Sequence, residues 1–121
     1  YCLLACATGT TAYPISLNVR FLEAVTGRKL DFKEFVKIGE RIFDLRRAFS
    51  IRHGLKRNED TLPKRLLKEP PNEGGSKGSA ARLNEMIGDY YEIRGWNPMT
   101  GIPTKEKLVG LELDEVADDF Y

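Results

Sequence analysis

Apolar positions recur at helical spacing in several separate stretches of this chain, and nowhere do they alternate as a strand requires. In LNVRFLEAVTG, Leu17, Phe21, Ala24 and Val25 fall near one another, with Ser16 placed to cap the start and Gly27 suited to the left-handed residue past the end. Asp31 and Glu34 then stand at the spacing of a capping box and open the longest pattern. There Phe32, Phe35, Val36, Gly39, Ile42, Phe43 and Phe49 keep to one broad stripe until Gly54, and Ile38, Leu45 and Ala48 widen it. The widened stripe predicts a helix buried on two sides. Gly39, which costs about 1 kcal/mol against alanine in a helix interior, predicts the close approach of another helix there.

Beyond Gly54, NEDTLPKRLLKEPP reads as a polar turn and a short helix, capped by Asp60 or Thr61, with Pro63 in the first turn and Pro70 and Pro71 past the end. Residues 72–80 carry three glycines and no large apolar side chain, which predicts a surface loop rather than a domain boundary. Leu83, Met86, Ile87 and Tyr90 then repeat at i, i+3, i+4, i+7 and predict an amphipathic helix ending near Gly95. NPMTGIPT is turn chemistry; Thr104 is placed to cap a short helix through Leu108, and LDEVADDFY makes a last one with Asp114 near its start. The expected fold is all-α, an irregular multi-helix bundle forming one helical domain over residues 1–121.

Composition narrows the function classes. Hydrophobic residues at 41% and charged residues at 31% suit a globular chain. The formal charge of +1 conceals an uneven distribution: Arg41, Arg46, Arg47, Arg52, Lys56 and Arg57 lie close together, whereas residues 112–119 are acidic. With no clear basic excess and no recognisable module, a nucleic-acid partner is not expected. No run approaches the roughly 20 apolar residues of a membrane span, so a cytoplasmic protein with no membrane partner is expected. The chain opens at Tyr1 on an apolar, cysteine-containing segment, which reads as an internal start. Cys2 and Cys6 are too few and too close to staple a secreted scaffold.

Ordinary catalytic patterns are weak. His53 sits in a basic neighbourhood beside Gly54 at a helix end, where the dipole favours a cation, and reads as a capping or solvated residue. Asp89, Glu92, Asp114, Glu115, Asp118 and Asp119 fit solvated helix faces. NEGGSKGS lacks both the GK[ST] ending and the preceding strand of a phosphate-cradling loop. Cys2 and Cys6 are either small buried hydrophobes or part of an iron-sulfur ligand set whose other thiolates come from elsewhere. Arg46, Arg47 and Arg52 can tie helices together through ion pairs and carbonyl contacts, because one planar guanidinium satisfies several acceptors; the alternative is that they present a partner surface on a helical interaction module. Tyr90, Tyr91 and Trp96 are expected to fill the interhelical core with their polar tips at its edge.

Four stretches, LNVRFLEAVTGRKL, GERIFDLRRAFSIRHG, RNEDTLPKRLL and EMIGDYYEIRGWNPMTGIPTKEKL, occur in an order that resembles the carboxyl-terminal region of the aldehyde ferredoxin oxidoreductase family. The likeness runs over residues 17–113, with Ser50 where the family commonly has Asn and His53 where it commonly has Glu. It implies a carboxyl-terminal domain of a larger oxidoreductase of anaerobic metabolism, whose parent oxidises aldehydes to carboxylates. A tungsten or molybdenum bis-pterin and a 4Fe-4S cluster would serve that parent, and ferredoxin would take the electrons. A relative acting on aromatic thioesters is the alternative within the superfamily. The resemblance implies that Cys2 is the last cluster ligand, with Cys6 as a rival, and that Tyr1 and Leu3 lie near a pterin. It implies no catalytic residue in this chain. The chain alone is expected to hold no cofactor and to be inactive, to partner the remaining domains of its parent, and to self-associate through the apolar surface they leave.

Overall fold

The computed structural model describes residues 15–121. Its helices are α1 (Ile15–Thr26), α2 (Phe32–Arg52), α3 (Lys64–Lys68), α4 (Leu83–Arg94), α5 (Lys105–Gly110) and α6 (Asp114–Asp118), with a 3₁₀ turn at Arg57–Glu59. The all-α expectation is met: among the described residues there is no strand, and one isolated antiparallel bridge joins Trp96 and Pro103. No described helix is long and apolar enough to cross a membrane. The expectations placed on Tyr1, Cys2, Leu3, Cys6 and the apolar opening segment lie outside the described residues. Two compact units emerge, Tyr1–Glu40 and Arg41–Tyr121.

In the first unit, Val19 and Leu30 are buried. Gly27 takes φ +70° and donates to the Glu23 carbonyl at 2.8 Å, closing α1 as its spacing predicts. The Glu23 carboxylate then accepts from the Leu30 amide at 2.9 Å and holds the connection. Asp31 Oδ1 accepts from the Glu34 amide at 2.7 Å, so the expected cap of α2 forms. Two expectations fail here. Because α1 already includes Ile15, Ser16 lies within its first turn, exposed, rather than ahead of it. A Cβ on Gly39 would meet open space, so among the described residues no helix packs closely there.

In the second unit, Ala48 of α2, Tyr91 of α4, Trp96, Leu108, Leu111 and Ala117 are buried. Gly54, at φ +99°, ends α2 through its amide to Ile51. The expected two-sided burial of α2 does not appear: Phe32, Val36, Ile42, Phe43, Leu45 and Phe49 are all exposed, and its buried residues are Asp44 and Ala48. The inward face of α2 is chosen by polar partners, described below, that apolar periodicity does not encode. On α4, likewise, Met86 and Tyr90 are exposed and Tyr91 is buried, a rotation of the expected face by one residue. Pro63 occupies the N-cap position of α3 rather than its first turn, and no side chain caps the helix; Asp60 is engaged elsewhere.

Gly95 ends α4 in the left-handed conformation, and the chain reverses at once. Asn97 Oδ1 accepts from the amides of Met99 and Thr100 at 2.9 and 3.2 Å, an Asx turn that supplies the backbone with local partners. The Asn97 amide donates to Ile102 and the Thr104 amide to Gly95, clasping the reversal. Thr104 then caps α5 by accepting from the Lys107 amide at 3.2 Å, as expected. Two arginines of α2 fasten the chain end. Arg41 donates to the Leu111 carbonyl and the Glu112 carboxylate, each at 2.6 Å, and Arg52 pairs with Asp119 at 2.6 Å.

Candidate functional site

The densest chemistry gathers on the inner face of α2. Successive helical residues turn about 100°, so Asp44, Arg47, Ala48 and Ile51 share one side. Asp44 is fully buried, with 0% exposure. Its Oδ1 accepts from the Trp96 indole N–H at 2.5 Å and its Oδ2 from Arg94 at 3.1 Å. The buried charge is therefore paired and hydrogen-bonded, which is the condition under which a carboxylate survives inside a protein. The Arg94 guanidinium also lies 4.3 Å from the centre of the Phe43 ring, and Phe43 stacks on Trp96 at 5.9 Å.

One turn along, Arg47 spends its whole fork. Nε donates to the Gly101 carbonyl at 3.0 Å, Nη1 to Asp60 Oδ1 at 2.8 Å, and Nη2 to the Tyr91 hydroxyl at 3.1 Å and to Asp60 Oδ2. The Tyr91 hydroxyl in turn donates to Asp60 Oδ2. Trp96 lies beneath, its ring centre 4.8 Å from the guanidinium carbon. Gly101 is required at its place: φ is +71°, and a Cβ there would run into Nη2 of Arg47 and stand 3.0 Å from the Tyr91 oxygen.

Charge and burial set the protonation states of this knot. The hydrogen bond from Arg47 is the main reason Asp60 titrates below the usual carboxylate range; partial burial opposes it, and the bond from Tyr91 and the charges of Arg47 and Arg57 add to it. Burial, reinforced by the hydrogen bond to Asp60, pushes the Tyr91 phenol up. Burial works against the charge on Arg47, but the hydrogen bond and charge of Asp60, with Tyr91 adding, outweigh it and the pKa is raised. An ionised carboxylate, a neutral phenol and a permanent cation make a poor acid-base set near neutral pH. They make a good fastener, joining α2, the residues before α3, α4 and the reversal after it.

Beside the knot opens a cleft of about 440 Å³, lined by Phe43, Leu55, Leu62, Leu83, Ile87 and Tyr90 among others, with Arg46 and Ser50 at its polar side. Among the described residues no three His, Cys, Asp or Glu side chains gather as a metal site. Residues 15–121 contain no cysteine, so none of the described residues offers a thiolate to an iron-sulfur cluster.

The structural roles predicted for Arg47 and Arg52 are met, and Tyr91 and Trp96 are buried with their polar tips bonded. Arg46 is exposed, and so is Tyr90. His53 accepts or donates at Nδ1 with the Phe49 carbonyl at 2.8 Å and rests on the Phe49 ring, a helix-end role as expected. Sequence reasoning missed Asp44, Asp60 and Gly101. The available signal for Asp44 was a lone carboxylate three residues before Arg47 and four before Ala48 inside an apolar pattern.

The fold is similar to part of an enzyme of known structure. The active-site complex of benzoyl coenzyme A reductase, solved with 1,5-dienoyl-CoA, is 32% identical with a TM-score of 0.71, the match covering 89% of this chain and 15% of that one. The family described as aldehyde ferredoxin oxidoreductase, domains 2 and 3, matches residues 1–113, and the chain belongs to it. Tungsten-containing aldehyde ferredoxin oxidoreductases of Pyrococcus abyssi and Pyrococcus furiosus are 47% and 45% identical over 95 residues, 78% of this chain. The chain spans only 16% of the length of these relatives.

Proposed function

We propose that this chain acts as a supporting domain of an aldehyde-oxidising enzyme, one that delivers electrons to ferredoxin in the cytoplasm. The observation that carries this reading is the family match over residues 1–113. In the whole enzyme a tungsten or molybdenum bis-pterin would supply the two-electron oxidation, with a 4Fe-4S cluster passing electrons onward. Cys2 is the proposed cluster ligand, and Tyr1 and Leu3 the proposed neighbours of a pterin. Arg47 contributes by position alone, fixing the Asp60 segment and the Gly101 reversal against α2 and α4.

A chimera tests it. Residues 1–113 replace the corresponding region of the Pyrococcus furiosus enzyme, and aldehyde-dependent viologen reduction and tungsten content are measured anaerobically. Activity with metal retained is the expected result; a folded, tungsten-loaded chimera that oxidises no aldehyde overturns the proposal. In the same chimera Cys2→Ser should abolish the electron paramagnetic resonance signal of the reduced cluster, and a signal lost only with Cys6→Ser reassigns the ligand. The 121-residue chain alone should bind no tungsten and turn over no aldehyde. The likeness to the benzoyl coenzyme A reductase complex favours a second reading, a role in aromatic thioester reduction, which activity of the chimera on aldehydes would disfavour.

A further inference from the structure

The knot around Arg47 also fixes the walls of the adjoining cleft of about 440 Å³, which lies wholly within the second unit. Phe43 stacks on Trp96 with ring centres 5.9 Å apart, and Tyr90 meets Trp96 edge-on at 5.6 Å, so three rings hold one another in a set array. Trp96 is anchored in turn by its indole N–H on Asp44. Phe43 and Tyr90 nevertheless stay 43% and 42% exposed while lining the cleft, which leaves aromatic surface uncovered by protein. Leu55, Leu62 and Ile87 make the rest of the wall apolar. A preformed hollow of this size suits a small organic molecule.

The polar groups of the lining are nearly all spoken for. Asp60, the one carboxylate of the described lining, is engaged by both Arg47 and Tyr91. Arg47 spends its fork on Asp60, Tyr91 and the Gly101 carbonyl. The Ser50 hydroxyl donates to the Arg46 carbonyl at 2.9 Å. Arg46 itself is the exception: it lines the cleft, it is exposed, and its guanidinium has no hydrogen bond or ion pair among the described residues. Aromatic walls beside one uncompensated guanidinium select a ligand with two matching parts, a flat ring for the walls and a negative group for the planar fork.

We propose that the cleft is a binding site for a small planar aromatic carboxylate, its ring against Phe43 and Tyr90 with Trp96 behind them, and its charge on Arg46. One uncompensated positive charge suits a monoanion, and a carboxylate accepts from a guanidinium through two parallel bonds. A cationic ligand would meet Arg46 as a like charge and find the carboxylate of Asp60 already bonded. The inference stands apart from the function proposed above, since it assigns no reaction to the cleft.

The test titrates the isotope-labelled 121-residue chain with naphthoate and follows it by nuclear magnetic resonance. Trp96 supplies the chain's one indole N–H signal, so its shift reports on this cleft without ambiguity, and circular dichroism checks the fold of each variant. A saturable shift with naphthoate is expected. Naphthamide, which keeps the ring and drops the charge, and decalin carboxylate, which keeps the charge and drops the aromatic ring, should each bind about fivefold or more weakly. Arg46→Gln should weaken naphthoate by a similar factor and erase its advantage over naphthamide, whereas Arg65→Gln, exposed on α3 and outside the lining, should change neither. No saturable shift, naphthamide binding as tightly as naphthoate, full affinity in a folded Arg46→Gln variant, or an equal loss with Arg65→Gln overturns the proposal. Tighter binding of the dipeptide acetyl-phenylalanyl-aspartate than of naphthoate overturns it too, by making the cleft a groove for protein.

Discussion

The two sides of α2 within the second unit reverse the usual economy of a helix. Asp44 and Arg47 face inward, whereas Ile42, Leu45 and Phe49 lie roughly opposite and are exposed, Ile42 by 55% and Phe49 by 61%. The polar side is ordered by specific partners from distant parts of the sequence, whereas on the apolar side Phe49 meets the ring of His53, its neighbour one turn along the same helix end. An apolar stripe therefore marked the presence of this helix without marking its inward face. The outward patch is the kind of surface that protein contacts usually cover, and the proposed place within a longer enzyme supplies such neighbours.

If the polar side holds the second unit together, damage there should far exceed damage on the apolar side. The largest effect is expected for Asp44→Ala, which takes a buried carboxylate from Arg94 and the acceptor from the Trp96 N–H; removing one partner of a buried pair costs about 3–5 kcal/mol, to be read from urea denaturation. A loss under 1 kcal/mol would show that Asp44 is incidental. Gly101→Ala comes next. Its methyl displaces the Arg47 fork and sits at an unfavourable φ, so a loss of more than about 1 kcal/mol is expected in the same assay. Arg47→Lys, charge kept but fork lost, should not rescue the Gly101 and Asp60 contacts together.

The pH response follows from the same knot. Asp60 has a folded pKa below its unfolded value, so the stability it contributes is present above the unfolded value and is lost as pH falls through the lowered one. Tyr91 has the opposite shift: its contribution is present below the ordinary phenol range and is lost as pH rises through its raised value. Thermal melts across pH should fall off at both ends, and Tyr91→Phe should remove its part of the alkaline limb. The smallest effect is expected on the other side of the helix. Phe49→Ser or Ile42→Ser should change the stability of this chain by no more than about 0.5 kcal/mol, as exposed substitutions commonly do. A loss above 2 kcal/mol would show that this face is covered after all.

Local signals carried much of the fold. Gly27, Gly54 and Gly95 end their helices where their spacing places them, and Asp31 and Thr104 cap as expected, because each such feature is decided within four residues. Orientation was hidden. The partner of Asp44 lies 52 residues away at Trp96, and that of Arg47 lies 54 away at Gly101. Asp60 illustrates the competition: the spacing of NEDTLP suits a helix cap, but a bidentate guanidinium is the stronger partner for its carboxylate. The family was legible for a different reason, since four ordered stretches carry it whichever way each helix faces.

Trp96 gives the molecule an optical consequence. It is the chain's one tryptophan, nine-tenths or more shielded, with its indole N–H on Asp44 and the Arg47 guanidinium over its ring. Its fluorescence therefore reads the polar side of α2 directly. Opening the knot admits water to the indole and shifts emission to the red, so a single unlabelled chromophore reports whether that side has come apart.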